Sequence, residues 1–279
     1  MTTERRADRP TSATGKQYHI DLCNGDLGPT VLLPGDPFRV PTLADAWDTR
    51  EEVAHHREYH SMRGTYGGTV TSACSTGIGG PSTEIAVNEL AAIGCTTFLR
   101  LGTTGGLQER IRAGDVVISS GSIRWDGASN SYAPPEYPAG ASYEATLALM
   151  AACERLGLTY HLGVSASVGS FYAAQSRPSF GGYRGLDADR VERLTSMGVL
   201  NFEMEAATVF TLCSLFGLRG GAACVVIADR FRNEFKPEGA DATLARIGAE
   251  ATAVLARMDR LKTEGRRRWF VPDFDLDGT

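Results

Sequence analysis

The sequence predicts an α/β fold: one domain in which a mixed central β-sheet is flanked by helices. Two features of the chain of 279 residues lead to this prediction. Short β-branched runs alternate with longer amphipathic stretches, which is the order of a sheet covered by helices. Most of the runs are apolar at nearly every position, as in strands buried on both faces. Residues 18–262 contain no internal repeat and no linker, so we expect a single domain.

The expected strands and helices follow one another in chain order. Three helices end before a glycine (Gly94, Gly157 and Gly217), because glycine readily adopts the conformation that closes a helix. The last helix has an apolar stripe that includes Leu244 and Leu255. The predicted strands are 30–33, 69–74, 96–101, 115–119, 162–168 and 222–227. The predicted helices are 82–93, 143–156, 205–216 and 240–261.

Composition excludes several classes of protein. No apolar run reaches the roughly 20 residues that cross a bilayer, and the N-terminus lacks the apolar core of a secretory signal. The net charge of −5 argues against broad nucleic-acid binding. The six cysteines form no C-x-x-C pair, which disfavours a disulfide framework or a zinc site. We therefore expect a cytoplasmic protein with a polar, disordered leader over 1–16, a folded domain over 17–262 and a tail over 263–279.

Two loops after predicted strands carry arginines that suit an anion. Ligands of α/β sheets bind beyond the carboxyl ends of strands. In LLPGDPFRV, Arg39 follows Gly35, whose missing side chain lets a ligand approach the backbone. In FLRLGTTGGL, Arg100 lies within an apolar strand and Thr103 follows it; a buried guanidinium must pair with an acid or bind an anion such as phosphate. The alternatives are a plain turn with a solvated Arg39 and an internal salt bridge at Arg100.

Two further loops are less specific. The glycine-rich segment CSTGIGGPSTE matches neither the dinucleotide fingerprint nor the P-loop, so it indicates only that the backbone passes close to something. In LNFEMEAATVF, Glu203 and Glu205 interrupt an apolar junction between a strand and a helix. Carboxylates that face a cavity accept hydrogen bonds from vicinal hydroxyls, as on a ribose. The alternative is a helix N-terminus, which favours acidic residues for its own stability.

Seven segments, in family order, resemble the uridine phosphorylases of the nucleoside phosphorylase-I family. The resemblance covers residues 18–262 and implies a partly barrel-like sheet. It also implies an enzyme, a pentosyltransferase that reversibly splits uridine with inorganic phosphate into uracil and α-D-ribose 1-phosphate in pyrimidine salvage. The family usually assembles three dimers into a homohexamer. The segments are LLPGDPFRV, HHREYHSMRG, CSTGIGGPSTEIAVNEL, FLRLGTTGGL, IRWDGAS, SFYAAQSR and NFEMEAAT.

The resemblance assigns roles to individual positions, of which Arg39, Arg100, Arg177 and Glu205 would carry the catalysis. The phosphate ligands would be Gly35, Arg39, Arg100 and Thr103, with Arg57 from a neighbouring subunit. The ribose ligands would be Glu203, Met204 and Glu205, with His19 from that subunit. The base ligands would be Thr104, Gly105, Phe171, Gln175, Arg177 and Arg230. A potassium ion at the dimer interface would be held by Glu58, Ile78 and Ser82.

One residue departs from the pattern, and other activities stay open. Asp229 stands where the bacterial uridine enzymes have asparagine, and purine-cleaving relatives use an aspartate in this region to protonate the base. A purine nucleoside phosphorylase, or one of broad specificity, is therefore the first alternative. A hydrolytic nucleosidase is the second, although water gains nothing from three arginines. A non-catalytic storage protein on the same scaffold is the third.

Overall fold

The structure is a computed structural model that describes residues 7–272. Strands and helices alternate along the chain, as the sequence predicts. The strands are β1 Thr30–Leu33, β2 Thr49–His56, β3 Tyr59–Tyr66, β4 Thr69–Cys74, β5 Thr97–Gly106, β6 Val116–Trp125, β7 Ala139–Gly140, β8 Tyr160–Val168, β9 Asn201–Glu203, β10 Arg219–Asp229 and β11 Glu234–Phe235. The helices are α1 Arg39–Ala44, α2 Gly80–Ala92, α3 Tyr143–Leu156, α4 Arg190–Ser196, α5 Ala206–Phe216 and α6 Ala240–Glu264.

Five strands close into a barrel-like ring. β5 pairs with β10 in parallel and with β9 in antiparallel orientation. β6 pairs antiparallel with β10 and parallel with β8, and β8 pairs parallel with β9, which completes the circuit. From β5 the sheet continues through β1, β4, β3 and β2. The predicted α/β fold with a mixed, partly barrel-like sheet is confirmed.

The central strands are buried on both faces, which explains their apolar sequences. All four residues of β1 are buried, and the three apolar ones, from Val31 to Leu33, alternate between two hydrophobic clusters. Leu32 packs in the cluster that contains Leu244 of α6, whereas Val31 packs in the cluster that contains Val87 of α2 and Phe210 of α5. Successive side chains of a strand point to opposite faces, so helices must cover both sides.

The parallel strands define one edge of the sheet as the place for a ligand. β4, β1, β5 and β10 are neighbours and run in the same direction. Their carboxyl ends therefore meet at a single edge, where side chains that follow each strand come together. The loop that contains Gly35, the glycine-rich turn at Gly77 and the last residues of β5 all lie there.

Sequence patterns located the apolar strands and the amphipathic helices and missed the elements that lack such a pattern. β1, β4 and α3 have the predicted bounds, and β5, β6 and β10 continue beyond theirs because each has a neighbouring strand to pair with. The hairpin of β2 and β3 and the short helices α1 and α4 were not predicted. β2 lies at the end of the strand order, and most of its residues are exposed and polar, so it has no apolar run to detect.

The two predicted terminal segments are described only in part. Residues 1–6 and 273–279 lie outside the described range. Thr11 forms an isolated antiparallel bridge with Gln17, and the Phe270 N–H donates to Glu144 at 2.9 Å. The predicted disorder of 1–16 and the domain limits at 17 and 262 stay predictions. Among residues 7–272, no helix combines the length and the hydropathy that a membrane span requires.

A buried ion cluster ties α3 to β10, α6 and the C-terminal segment. Glu144 is 2% exposed, and its carboxylate accepts from Arg219 at 3.0 Å, from Lys262 at 2.7 Å and from the Phe270 N–H. Burial acts to raise the pKa of Glu144, but Lys262, the Phe270 amide and Arg219 outweigh it, so the pKa lies below its ordinary value of 4.5. Glu144 is therefore ionised at neutral pH.

Replacing Glu144 by glutamine should destabilise the fold in a pH-dependent way. Loss of the carboxylate charge leaves Arg219 and Lys262, two partly buried cations, with Asp259 as their remaining acidic partner. Glu144→Gln should therefore lower the free energy of unfolding by about 2 kcal/mol at pH 7. A carboxyl whose pKa is depressed by folding stabilises the protein above its unfolded pKa and ceases to do so as the pH falls through the folded pKa. The difference in free energy of unfolding between wild type and Glu144→Gln should therefore shrink from pH 5 to pH 3. Urea unfolding of both proteins at each pH measures it.

Glu154→Gln is the matched control, because Glu154 lies on the same helix and, among residues 7–272, its side chain makes one hydrogen bond, an exposed one from the Tyr160 hydroxyl. Its effect should stay within about 0.5 kcal/mol at every pH. An equal gap between wild type and Glu144→Gln at pH 3 and pH 7 would contradict the proposed ionisation.

Candidate active site

A cavity of about 680 Å³ opens at the carboxyl ends of the parallel strands. Every element that the sequence pointed to at this edge contributes to its wall. The predicted site residues that line it are Gly35, Arg39, Glu58, Ile78, Ser82, Arg100, Thr103, Thr104, Gly105, Phe171, Gln175, Arg177, Glu203, Met204 and Glu205. The predicted site residues that do not line it are His19, Arg57 and Arg230. Loops that lie far apart in sequence thus converge on one space.

Arg100 is the buried cation at the floor of the cavity. Its Nε donates to Glu203 at 2.8 Å and its Nη2 contacts Glu205, and all three side chains are at least 94% buried. Burial acts to lower the pKa of Arg100, but the charges of Glu205 and Glu203 outweigh it and raise the pKa above its ordinary value. The internal salt bridge considered from the sequence is therefore present. Because Arg100 also lines the cavity, an anion site is compatible with that salt bridge.

The two glutamates differ in how fully the protein uses them. Glu203 Oε2 accepts from Arg100 and from the backbone N–H groups of Glu205 (2.9 Å) and Ala206 (2.8 Å), while its Oε1 accepts from the Ser167 hydroxyl. Glu205 Oε1 accepts from the Gly79 N–H at 2.6 Å. Glu203 therefore acts as the acceptor for the first amides of α5, and Glu205 keeps more lone pairs for a ligand.

Burial also shifts the chemistry of Glu205. It raises the pKa of this carboxyl, and the positive charge of Arg100 opposes the shift. Glu205 precedes α5 in a non-helical conformation, and its side chain makes no capping hydrogen bond to that helix. The simple explanation of an acid that stabilises a helix N-terminus therefore fits Glu203 and not Glu205.

Arg39 reaches the cavity from the start of α1. Its Nε donates to Asp241 Oδ1, in the first turn of α6, at 2.5 Å. Its side chain is 11% exposed, and the residue lines the cavity close to Gly35. Sequence analysis missed Asp241, since 202 positions separate it from Arg39 and no motif surrounds it. The plain turn with a solvated arginine is excluded.

Gly102, in β5, is required by the folded-back side chain of Arg100. A β-carbon at this position would lie 2.9 Å from Nη2 of Arg100 and 3.0 Å from its Cζ. The guanidinium therefore folds back over the backbone of its own strand, and any larger residue would displace it from the two glutamates. The sequence pattern R-L-G is a packing requirement of the buried cation.

A second group of cations occupies another part of the cavity wall. Arg177 Nη1 contacts Gln175 Oε1, and its guanidinium lies 4.1 Å from the centre of the Phe171 ring. Arg230 Nη2 donates to the Gln175 carbonyl at 3.1 Å, which places this arginine behind the cavity wall. Among residues 7–272, neither guanidinium is paired with a carboxylate. This region therefore carries uncompensated positive charge.

The pKa values follow from that arrangement. Burial, together with the charge of Arg230, lowers the pKa of Arg177 to about 10. Burial also lowers the pKa of Arg230. Arg177 remains cationic at neutral pH, but its charge costs the folded state free energy because no carboxylate of the described part of the chain is paired with it.

Asp229 is turned away from the cavity. Its Oδ1 accepts from the backbone N–H groups of Phe231 (3.0 Å) and Arg232 (2.9 Å), and its Oδ2 accepts from Arg232 Nη1 at 2.9 Å. Burial acts to raise the pKa of Asp229, and the bonds to Arg232 outweigh it, so the pKa lies below its ordinary value. An ionised carboxylate bound in this way has no proton to give to a base.

His19 and Arg57 lie together outside the cavity of their own chain. Arg57 Nη2 lies 3.5 Å from the Tyr18 hydroxyl, and the rings of Tyr18 and His19 are 4.9 Å apart. The His19 Nδ1 lies 2.6 Å from Glu89 Oε1. The resemblance assigned both residues to the site of a neighbouring subunit, and their absence from this cavity is compatible with that assignment.

A mixed sheet closed into a ring, with a cavity that charged side chains reach at the carboxyl ends of its parallel strands, is consistent with the fold of the nucleoside phosphorylases. The chain belongs to the phosphorylase superfamily, whose family model matches residues 29–260. It is 48% identical to a uridine phosphorylase of Thermococcus kodakarensis over 265 residues, which cover 94% of this chain and 95% of the relative.

Two other relatives show the range of substrates among similar proteins. A uridine phosphorylase of Escherichia coli is 45% identical over 223 residues, covering 78% of this chain and 87% of that protein. A guanosine phosphorylase of Halorubrum lacusprofundi is 40% identical over 211 residues, covering 76% of this chain and 83% of that protein. Both pyrimidine and purine names therefore occur among the relatives.

Removal of the charge at Arg177 should stabilise the protein. Arg177→Met replaces an uncompensated, partly buried cation by an apolar chain of similar length, so Tm should rise by about 2–4 °C, the shift that ~1 kcal/mol produces in a domain of this size. Differential scanning calorimetry at pH 7 without ligand measures it. Arg110→Met, at an exposed arginine, is the control and should change Tm by less than about 1 °C. A clear fall in Tm for Arg177→Met would show that the cation is compensated after all.

Proposed function

We propose that the protein is a uridine phosphorylase, which reversibly converts uridine and phosphate into uracil and α-D-ribose 1-phosphate. One observation carries the proposal: a single cavity contains carboxylate-held arginines, a partly free carboxylate and an uncompensated Gln175–Arg177 cluster. These are the groups that an oxyanion, a sugar and a base each require. The names of relatives at 40–48% identity support the same activity.

The phosphate would be held by Gly35, Arg39, Arg100 and Thr103, with Arg57 from a neighbouring subunit. Phosphate itself attacks C1′ of the ribose while the bond from C1′ to the base breaks, so no protein nucleophile is needed. The sugar then gains positive charge, and the bound anion stabilises it. Planar guanidinium groups suit this role because each offers two parallel N–H donors to an oxyanion.

The ribose would be held by Glu205 and Met204, and His19 would reach it from the neighbouring subunit. Glu205 is the better acceptor for the sugar hydroxyls, since Glu203 is already occupied by Arg100, Ser167 and two backbone amides. Glu203 would act through its neighbours, by fixing Arg100 and the start of α5. Positioning of this kind lowers the entropic part of the barrier.

The uracil would contact Gln175, Arg177 and Phe171, with Thr104 and Gly105 beneath it and Arg230 in support. Negative charge accumulates on the base as the bond to C1′ breaks. The guanidinium groups of Arg177 and Arg230, which have no carboxylate partner within residues 7–272, favour that charge. A charge-assisted hydrogen bond contributes about 1.5–3 kcal/mol, so one such bond formed in the transition state accelerates the reaction by about 10–100-fold.

Potassium and assembly form a further part of the proposal. Glu58 Oε1 accepts from the Ser82 hydroxyl at 2.9 Å, so these two oxygen ligands already lie together at the cavity. The Ile78 side chain is 77% exposed and apolar, so only its backbone carbonyl would serve a cation. These donors fit potassium, which prefers oxygen. We further propose a cytoplasmic, dimer-based hexamer; all six cysteines are free, as in a reducing compartment.

A purine nucleoside phosphorylase is the second candidate, because one similar protein is a guanosine phosphorylase. The sequence feature that favoured it, Asp229, loses its force because both carboxylate oxygens are bound to the segment at Phe231 and Arg232. The hydrolytic and storage alternatives leave the converging arginines without a role.

A panel of nucleosides assayed with and without phosphate tests the proposed function. Uracil release from uridine should depend strictly on phosphate, and kcat/KM for uridine should exceed the values for inosine and guanosine by about 100-fold, because unmatched polar groups in a site reject the wrong ligand strongly. Release without phosphate would identify a nucleosidase. A preference for guanosine would identify a purine enzyme, and no release from any nucleoside would favour a binding protein.

Arg177→Met should reduce kcat/KM for uridine by about 10–100-fold, since one charge-assisted bond to the developing base anion is lost. The KM for phosphate should change much less, because Arg177 contacts Gln175 and Phe171, whereas Arg39 is paired with Asp241. Steady-state uracil release measures both constants, with Arg110→Met as the control. Near-normal turnover of uridine by Arg177→Met would show that the base does not bind in this part of the cavity.

A further inference from the structure

The two arginines of this chain's own cavity that are proposed to hold phosphate, Arg39 and Arg100, each donate to a carboxylate through Nε. Arg100 Nε donates to Glu203 at 2.8 Å, and Arg39 Nε donates to Asp241 at 2.5 Å. We propose that Asp241 is a positioning residue: it holds Arg39 by the Nε–H so that the two Nη groups face the phosphate. This inference rests on the proposed function, and it assigns a role to a residue far from every recognised motif.

Asp241 is the single partner that fixes this arginine. Among residues 7–272, the Arg39 guanidinium makes no other hydrogen bond or ion pair with a side chain. A long side chain held at one end of its guanidinium loses most of its rotational freedom before a ligand arrives. The Nη groups then form the planar fork that matches two oxygens of an anion.

The position of the carboxylate limits its repulsion of phosphate. Asp241 does not line the cavity, whereas Arg39 does. The Asp241 side chain is 47% exposed, so water screens its charge, and the Arg39 side chain is only 11% exposed. The guanidinium lies between the acid and the cavity, and attraction by the nearer cation exceeds repulsion by the more distant, screened anion.

The fold gives this contact a rigid base. Asp241 lies in the first turn of α6, and Arg39 is the first residue of α1. Val40 and Leu43 of α1 pack with Leu244 and Ile247 of α6 in one hydrophobic cluster. The two helices therefore hold the two partners at a fixed separation, which is the condition for a precise binding geometry on rigid elements.

Asp241→Ala tests the proposal through phosphate alone. It should raise the KM for phosphate in uracil release about tenfold, equal to about 1.4 kcal/mol, while the KM for uridine stays within about twofold. Asp241→Asn keeps an acceptor for the Nε–H and should show a smaller rise. Glu238→Ala removes an exposed acid just before the same helix, without contact to Arg39, and should leave both constants unchanged. In an Arg39→Ala background, Asp241→Ala should change the KM for phosphate less than twofold.

Binding of inorganic phosphate, measured by isothermal titration calorimetry, separates this inference from the proposed function. If wild type releases no base from uridine, the proposed function fails, and weaker phosphate binding by Asp241→Ala still supports the positioning role. Unchanged or tighter phosphate binding by Asp241→Ala would overturn it. An equal rise of both KM values, or the same effect in the Arg39→Ala background, would also overturn it, since a general structural defect produces that pattern.

Discussion

The site depends on one buried cation in an apolar strand. Arg100 lies within β5, and a guanidinium there is tolerated only when acids compensate its charge. Glu203 and Glu205 supply that compensation, and Glu203 also accepts the first amides of α5. The ion pairs therefore determine how β5, β9 and α5 meet. The same guanidinium faces the cavity, so the requirement of the fold and the requirement of the site are met by one group.

The positive charges of the cavity fall into two classes with different consequences. Arg39 and Arg100 each have a carboxylate partner, whereas Arg177 and Arg230 have none among the described residues. In the proposed reaction, phosphate is an anion in both the ground state and the transition state, and compensated arginines hold it without excessive affinity. The base becomes anionic only as the bond breaks. Uncompensated charge placed there is satisfied in the transition state, which is where binding raises the rate.

The sequence predicted the strands that are buried and the helices whose ends are marked by glycine. β1 and α3 were located to the residue, because β1 is wholly buried and nearly all apolar, and α3 ends before Gly157. The hairpin of β2 and β3 was missed, since β2 is an exposed edge strand and the polar residues His60 and Ser61 interrupt the buried half of β3. Residue types indicated Arg100 and Glu205 as site residues. Only the contacts in the structure distinguish Glu205, which can accept further hydrogen bonds, from Glu203, whose oxygens are already occupied. Asp241 left no signal at all, because its role exists only through its distance from Arg39.

Asp229 illustrates why residue identity alone does not define base preference. An aspartate protonates a leaving base only if its carboxyl is neutral and directed at that base. Here the adjacent turn supplies two amides and the guanidinium of Arg232, three residues further on. These donors lower the pKa and fix the carboxylate against the protein. An acid that would serve catalysis in another setting therefore stabilises a turn in this one, and Gln175 and Arg177 remain the polar groups of the cavity that are proposed to contact a base.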